Sequence, residues 1–232
     1  MNASLPSPAD FRVRVAAEKR ERMRERLIAA TMEAYLDAAP GLHPVIDDVI
    51  RVAQVSRGTF YKYFDSLEQV QAEIGARMAD EMLSSFDRLF ADVADATVRS
   101  AAGPLMAMAR AAMEPRHGIF ITRVDFIEFF SGEDPRSLIV RRELVEGRAQ
   151  GQLKFESLEA AIDLVIGVSL EGARRVLKTR TLDGATIRET TVLVMLGLGL
   201  NRKAAVRAVS LAWQHLNKNA ASLHWWKPVS GV

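Results

Sequence analysis

Apolar residues along this chain recur every three to four positions, the spacing of helices that bury one face. The first such segment begins between Phe11 and Glu18 and ends near Asp37, after ten residues that we expect to be disordered. Further segments cover residues 45–53 and run from Leu67 to the region of Phe90. No stretch alternates apolar and polar residues for long enough to indicate a strand. The sequence therefore predicts an all-α protein.

Clusters of Pro, Gly, Asp and Ser divide the second half of the chain into further helices. The predicted breaks are Gly103–Pro104, Pro115–Gly118, Ser131–Pro135, Gly151 and Leu182–Gly184.

Residues 45–64 predict two short helices joined by a turn. Ser56 has the chemistry of an N-cap, because its hydroxyl can accept from free amides at a helix start, so the second helix should begin near Arg57. Phe60 and Phe64 then share one face, which we expect to pack inward. Two helices joined in this way make a helix-turn-helix, whose second helix would enter a major groove.

The run Gln54-Val55-Ser56-Arg57-Gly58-Thr59-Phe60-Tyr61-Lys62-Tyr63-Phe64 closely resembles the recognition segment of the TetR family of bacterial transcriptional regulators. The resemblance extends over about residues 22–74. It implies an N-terminal three-helix helix-turn-helix DNA-binding domain followed by a C-terminal helical ligand-binding and dimerisation domain. On this basis we divide the chain into a flexible basic arm (1–17), the DNA-binding domain (18–66) and the helical body (67–232).

Three positions depart from the family pattern. Gln54 stands where the turn usually has Gly, so the backbone must avoid or tolerate a left-handed conformation. Val45 and Leu67 replace a Thr and a Lys that the family often directs to phosphate. Two expected phosphate contacts are therefore missing.

The candidate DNA-binding residues follow from the helix and its side-chain chemistry. Arg57 is assigned to base readout, because a guanidinium can donate two hydrogen bonds to guanine. Tyr61 and Lys62 are assigned to phosphate, and Tyr63 either to phosphate or to core packing. The full set is Ser56, Arg57, Gly58, Thr59, Tyr61, Lys62 and Tyr63.

Two late segments, 158–177 and 192–200, are apolar around most of their circumference and must be covered on more than one side. We assign them to a homodimer interface, the alternative being central helices of a monomeric core. The candidate interface residues are Ile162, Val165, Ile166, Ser169, Ala173, Val192, Met195 and Leu196.

Methionine and phenylalanine side chains in the body could line a cavity for a small apolar or amphipathic effector, with ordinary core packing as the alternative. The candidate ligand-binding residues are Met106, Met113, Phe120, Asp125, Phe126 and Phe129, with Glu128 and His117 as further polar anchors.

Composition limits the compartment and the classes of protein that remain possible. The net charge is +2, and the chain has no cysteine, no apolar run of membrane-spanning length and no apolar signal-peptide core, so a cytoplasmic protein is expected. The four histidines are scattered without metal-ligand spacing, and no phosphate-binding glycine loop occurs. We therefore expect no enzyme, metal or cofactor.

Basic residues near the N-terminus could contact DNA or pair along their own helix: Arg12, Arg14, Lys19, Arg20, Arg22, Arg24 and Arg26.

Together the residues and the resemblance indicate a repressor that binds a palindromic double-stranded DNA operator as a homodimer and releases it when a small molecule binds. The alternative is a dimeric helical sensing or interaction protein that has lost operator binding. Near the C-terminus, Trp225 and Trp226 should fold back onto the chain or pack on a partner subunit.

Overall fold

Ten α-helices and one short 3-10 helix make up the regular secondary structure of residues 8–39, 42–124, 138–179 and 183–227, the residues that the computed structural model describes. These ranges contain no strand, and the predicted all-α class is confirmed. In chain order the helices are α1 (Pro8–Asp37), α2 (Ile46–Ala53), α3 (Arg57–Phe60), α4 (Leu67–Phe90), α5 (Ala96–Met113), α6 (Pro115–Arg123), α7 (Leu138–Ala149), α8 (Leu158–Thr179), α9 (Gly184–Gly197), α10 (Arg202–Asn219) and the 3-10 helix Ala220–Ser222.

The chain forms two compact units, Met1–Ile74 and Gly75–Val232, and the boundary between them falls inside α4. The predicted domain boundary lies between residues 66 and 67, where the same helix begins.

The first helix begins earlier than predicted. Pro8 opens α1, although residues 1–10 were expected to be disordered and residues 1–17 to form an arm. Proline suits the first turn of a helix, because its missing N–H would have no partner there and its φ is already helical. The side chains from Val13 to Arg22 are all exposed, and Arg14 pairs with Glu18 at 3.8 Å. The basic side chains in this stretch therefore lie on a helix surface.

The core of the first unit is built from the predicted inward faces of its helices. Leu27 and Tyr35 of α1 are buried together with Val49 of α2 and with Phe60 and Phe64 of the recognition segment. The Tyr35 hydroxyl accepts a hydrogen bond from Gln71 Nε2, and burial raises the pKa of Tyr35 above its usual value. These contacts fix the surface that the recognition segment presents.

Arg24 links α1 to the end of the recognition segment. Its guanidinium lies 4.5 Å from the centre of the Phe64 ring, pairs with Glu73, and donates a hydrogen bond of 3.3 Å to the Tyr63 carbonyl. A basic residue that was a candidate for DNA contact therefore has a structural role within its own unit.

Helix α5 is the centre of the second unit and packs against α6, α7, α8, α9 and α10. The break predicted at Gly103–Pro104 is wrong, because α5 continues through Pro104. Burial of most of the helix against its neighbours outweighs the backbone hydrogen bond that proline removes. The predicted break at residues 115–118 shrinks to Glu114, because Pro115 opens α6. Gly151 follows the end of α7 with φ +67°, as a helix-ending glycine does.

The two C-terminal tryptophans fold back onto their own unit. Trp225 is 4% exposed and belongs to the hydrophobic core, and Trp226 packs against it. The Arg110 guanidinium lies 5.6 Å from the Trp225 ring centre. Of the two arrangements that the sequence left open, the structure has the first.

A bilayer-crossing helix would need a longer apolar stretch than any helix among the described residues provides. The same residues contain no group of three or more His, Asp and Glu side chains placed to hold a metal ion.

Candidate nucleic-acid interface and ligand cavity

The turn between α2 and α3 keeps a left-handed residue without a glycine. Gln54 has φ 53° and ψ 48°, and its N–H donates to the Arg51 carbonyl at 3.3 Å. The next N–H, from Val55, donates to the Ile50 carbonyl at 3.1 Å. The turn therefore keeps its tight, left-handed geometry although Gln54 stands where the family usually has Gly.

Ser56 caps α3 as predicted. Its Oγ accepts from the Thr59 N–H at 3.1 Å, and the two hydroxyl oxygens lie 2.9 Å apart. Helix α3 begins at Arg57 and ends at Phe60. Helical hydrogen bonding continues beyond it, since the Phe64 N–H donates to the Phe60 carbonyl at 3.1 Å. The cap and the following bonds give the segment a defined exposed face.

The recognition segment separates cleanly into inner and outer side chains. Phe60 and Phe64 are buried, with ring centres 6.0 Å apart. Among the seven predicted DNA-binding residues, Tyr63 and Thr59 are half-buried. The remaining five are exposed: Ser56, Arg57, Gly58, Tyr61 and Lys62. The buried phenylalanines hold the segment while an Arg, a Tyr and a Lys stay accessible.

Asp47 is a neighbour of this face that the sequence analysis missed. Its Oδ1 lies 2.8 Å from Nη2 of Arg57. The signal available in the sequence was a carboxylate in the first turn of the helix that precedes the recognition segment. The guanidinium assigned to base readout therefore already has an acidic partner within the unit.

The start of α2 lacks the side-chain cap that the family's Thr would supply. Val45 is 59% exposed and has no side-chain oxygen, while its N–H donates to Asp48 Oδ2 at 3.0 Å. This backbone hydrogen bond, followed by the one from Arg51, lowers the pKa of Asp48. Leu67, which stands in place of the family's Lys, is buried in the core of the first unit. Neither position offers a side-chain donor to phosphate.

The second unit contains an apolar cavity of about 110 Å³ among α4, α5, α6, α7 and α8. Its lining among the described residues is Met78, Ala79, Met82, Leu83, Phe86, Gly103, Pro104, Met106, Ala107, His117, Ile121, Ile139, Val140, Val165, Ile166, Ser169, Leu170 and Ala173. Methionines come from two helices, and their flexible side chains let such a wall adjust its shape.

Only some of the predicted ligand-binding residues line the cavity. Met106 lines the cavity, as does His117, which was a further candidate anchor. Met113 and Phe120 are buried in the core instead, and the Met113 sulfur accepts from the Lys227 N–H at 3.2 Å. Periodicity places a side chain on a helix but does not tell which of several buried faces meets a cavity. The other candidates, Asp125, Phe126, Glu128 and Phe129, lie outside the described residues.

His117 is the unusual polar group of this lining. It is 5% exposed, and its Nδ1 has no hydrogen-bond partner. Burial, with a smaller contribution from the nearby charge of Arg110, lowers the pKa of His117 to about 3. The imidazole is therefore neutral at ordinary pH. Ser169, the other polar residue described there, donates its hydroxyl to the Val165 carbonyl at 2.6 Å.

The residues assigned to the dimer interface face the inside of their own unit. Seven of them are buried within the chain, and Leu196 is half-buried: Ile162, Val165, Ile166, Ser169, Ala173, Val192 and Met195 form the buried set. Four of these line the cavity. The seven buried side chains pack within the chain, because a helix that is apolar all round does not reveal which stripe packs there; their assignment to a subunit contact stays a prediction.

The opposite faces of α8 and α9 carry apolar side chains as well. Leu193 is 56% exposed, Leu164 and Val168 are half-buried, and a Cβ at Gly167 would meet nothing within 4 Å. A Cβ at Gly197 would lie 2.5 Å from Leu164 Cδ2, so this glycine permits close packing of the two helices.

No family model and no curated protein matches this chain. Several solved structures match it in fold. RolR in complex with resorcinol is 21% identical over 84% of this chain and 96% of its own, with a TM-score of 0.56. FadR from Bacillus subtilis in complex with stearoyl-CoA is 17% identical over 75% of this chain and 98% of its own, with a TM-score of 0.57. FadR from Bacillus halodurans is 18% identical over 77% and 97%, with a TM-score of 0.52. These neighbours are TetR-family regulators, and the likeness confirms at the level of the fold what the recognition segment indicated: this chain has the TetR-family fold.

Proposed function

We propose that this protein is a ligand-responsive transcriptional regulator, a repressor that binds a palindromic operator as a homodimer and leaves it when a small molecule enters the second unit. One observation carries the proposal. A capped, anchored recognition segment exposes Arg57, Tyr61 and Lys62 while Phe60 and Phe64 hold it from within. An exposed helix start with these donors has the chemistry of major-groove contact.

The exposed side chains suit two kinds of DNA contact, one to bases and one to phosphates. Arg57 stands at the first position of α3, where side chains of a recognition helix reach base edges, and its guanidinium suits guanine O6 and N7. Lys62 and Tyr61 suit phosphate oxygens, which position the protein without specifying sequence. Gly58 has only the Ser56 hydroxyl within 4 Å of its Cβ position, which leaves space for the groove edge.

The cavity of the second unit is the proposed effector site. It is almost entirely apolar with isolated polar groups, as small-molecule sites are. Two neighbours of the same fold were solved with small molecules, RolR with resorcinol and the Bacillus subtilis FadR with stearoyl-CoA. Their ligands support an effector here without naming it.

Helix α4 is the proposed connection between effector and DNA. Leu67, Val70 and Ile74 belong to the core of the first unit, whereas Met78 and Met82 of the same helix line the cavity. A ligand that favours one position of α4 shifts the DNA-binding equilibrium only if its affinity differs between the two states. The family resemblance gives this helix the same role.

The proposed dimer uses the outward faces of α8 and α9. Leu164, Val168 and Leu193 supply apolar surface there, in place of the inward side chains that the sequence had suggested. A two-fold contact is self-complementary, and two recognition segments related by a two-fold axis suit a palindromic operator.

A second function, a sensing or interaction protein without operator binding, is favoured by Val45 and Leu67, which offer phosphate no side-chain donor. The left-handed Gln54 counts against it, because the turn keeps the geometry that the motif requires.

Fluorescence anisotropy separates the two functions. The full chain is titrated into labelled duplexes that tile its own upstream region, with random duplex as competitor and a salt series from 50 to about 300 mM. Saturable binding to one duplex that Arg57→Ala weakens is expected of the regulator. A folded protein that binds no duplex selectively even at low salt would refute operator binding and leave the sensing function.

A further inference from the structure

His117 lines the cavity and has a buried hydrogen-bonding atom without a partner. This atom is Nδ1, and the residue is 5% exposed. A buried polar atom without a partner destabilises a folded protein, so most such atoms are paired. The ring is neutral and carries one donor and one acceptor nitrogen. A ligand with a hydroxyl group could satisfy either.

Arg110 is a cation close to the cavity, and it has carboxylate partners although its Nη1 has none. Arg110, near His117, is paired with Glu81 at 2.6 Å and with Glu114 at 3.0 Å. No Asp, Glu, Lys or Arg side chain belongs to the described lining. An ionised ligand would therefore gain no counter-charge from these described residues to offset the hydration that it loses, whereas a neutral ligand needs none.

The size of the cavity limits the ligand body. A volume of about 110 Å³ is comparable to cavities that hold a single aromatic ring. A smaller cavity of about 20 Å³ shares Phe86, Gly103 and Val140 with the larger one, and the paired Arg99 and Glu143 also line it. A volume of this size holds no more than about one water molecule, so the larger cavity sets the size of the ligand body.

We propose that this cavity selects uncharged molecules of about one aromatic ring with a hydroxyl group, and that His117 is the residue that recognises this hydroxyl. The inference rests on the proposed function only in treating the cavity as the effector site. The apolar wall contacts the ring, and the unpartnered imidazole distinguishes a phenol from a hydrocarbon of the same shape.

The first test is isothermal titration calorimetry of the full chain with three probes that share an ethylbenzene body: 4-ethylphenol, ethylbenzene and 4-ethylbenzoate. We expect 4-ethylphenol to bind roughly tenfold more tightly than ethylbenzene, the effect of one buried hydrogen bond, and 4-ethylbenzoate to bind most weakly. Equal affinity for the phenol and the hydrocarbon, tighter binding of the carboxylate, or no binding of any probe would overturn the proposal.

Variants then assign the preference to His117. His117→Leu should leave ethylbenzene affinity unchanged and remove the phenol preference, so that ethylbenzene binds at least as tightly as 4-ethylphenol, whose hydroxyl then loses its hydration without a partner. His117→Gln should keep most of the preference through its amide. His43→Gln, an exposed histidine of the other unit, is the matched control and should behave as wild type. An unchanged preference in a folded His117→Leu protein would refute the role of His117.

A spectroscopic measurement covers the case in which His117→Leu does not fold. In protein labelled with ¹⁵N histidine, 4-ethylphenol should shift the imidazole signal of His117, and ethylbenzene should shift it much less. Identical responses to the two probes would refute the hydrogen bond.

The same probes in the DNA anisotropy assay separate this proposal from the function on which it rests. Binding of 4-ethylphenol without any selective DNA binding would retain the ligand class and refute the regulator. Selective DNA binding in a protein that binds none of the three probes would retain the regulator and refute the ligand class.

Discussion

Nη2 of Arg57 lies 2.8 Å from Oδ1 of Asp47, so the first residue of α3 is paired with a carboxylate from the first turn of α2. Both side chains are more than half exposed, at 58% and 66%, and such a pair adds little to stability because water screens it. In the proposed regulator, the pair would act on DNA binding. To contact a base, the Arg57 guanidinium must leave the Asp47 carboxylate. That unpaired carboxylate would then lie close to the negatively charged DNA backbone.

Arg57→Ala and Lys62→Ala should have different effects on DNA binding. Loss of Arg57 should cost about 1–3 kcal/mol on the operator and relax discrimination at one base position. Loss of Lys62 should weaken all duplexes alike and reduce the salt slope by about 1. Anisotropy titrations on the operator, single-base variants and random duplex measure both effects. Equal losses on operator and random duplex for both variants would contradict the assigned roles.

Asp47→Asn should tighten DNA binding. The change keeps the side-chain shape while removing a negative charge and the competing partner of Arg57. Affinity should rise for operator and random duplex, more strongly at low salt, where charge repulsion is least screened. Asp65→Asn, at another exposed aspartate beyond the recognition segment, serves as the comparison. Weaker binding by Asp47→Asn would show instead that the ion pair positions Arg57 for readout.

Gln54→Gly should stabilise the protein. A residue with a Cβ in the left-handed region costs about 1 kcal/mol relative to glycine, and Gln54 has φ 53°. Urea denaturation followed by circular dichroism should show a higher midpoint. Gln150→Gly is the matched control, because Gln150 is exposed and has no positive φ, so the same substitution should stabilise nothing there.

Stability should depend on pH through His117. Its pKa is lowered to about 3 in the folded protein, whereas an unfolded histidine titrates near 6.5, so the unfolded state binds the proton first as pH falls. The free energy of unfolding should therefore fall by about 1.4 kcal/mol per pH unit between these values. In denaturant titrations at pH 7, 6 and 5, the stability of His117→Leu relative to the wild type should rise by about half of this slope from pH 7 to 6 and by nearly all of it from pH 6 to 5. Parallel stability curves for the two proteins would contradict a neutral buried imidazole, and His43→Gln should run parallel to wild type.

Leu193→Asp should weaken self-association. Leu193 is 56% exposed on the outward face of α9, and a charge in a two-fold apolar contact is placed twice in each dimer. Sedimentation velocity over a concentration series measures the shift towards monomer. Leu211→Asp, at a 40% exposed leucine of α10, should leave association unchanged. A dimer that tolerates Leu193→Asp would place the contact elsewhere.

The recognition segment was the part of the chain best predicted from sequence, since its signals are local. An N-cap at Ser56, a helix start at Arg57 and inward Phe60 and Phe64 depend on residues within one or two turns of each other. The start of α4 at Leu67 was also as predicted.

The body was less predictable because its side chains meet partners distant in sequence. Val165 and Met195 were assigned to a subunit contact and prove to be buried in the chain, since apolar periodicity does not name the partner. Pro104 signalled a break that burial of α5 overrides. The importance of His117 lies in a missing hydrogen bond, which only the surrounding structure shows.

The size of the apolar cavity limits how strongly a ligand that fills it would stabilise the fold. At about 24 cal/mol for each Å³, contacts that fill about 110 Å³ correspond to at most roughly 2–3 kcal/mol. A ligand that binds the folded state alone raises the unfolding temperature, and the rise grows with the logarithm of its concentration above its dissociation constant. Resistance to heat thus becomes a direct readout of effector binding, usable in screening before any operator is known.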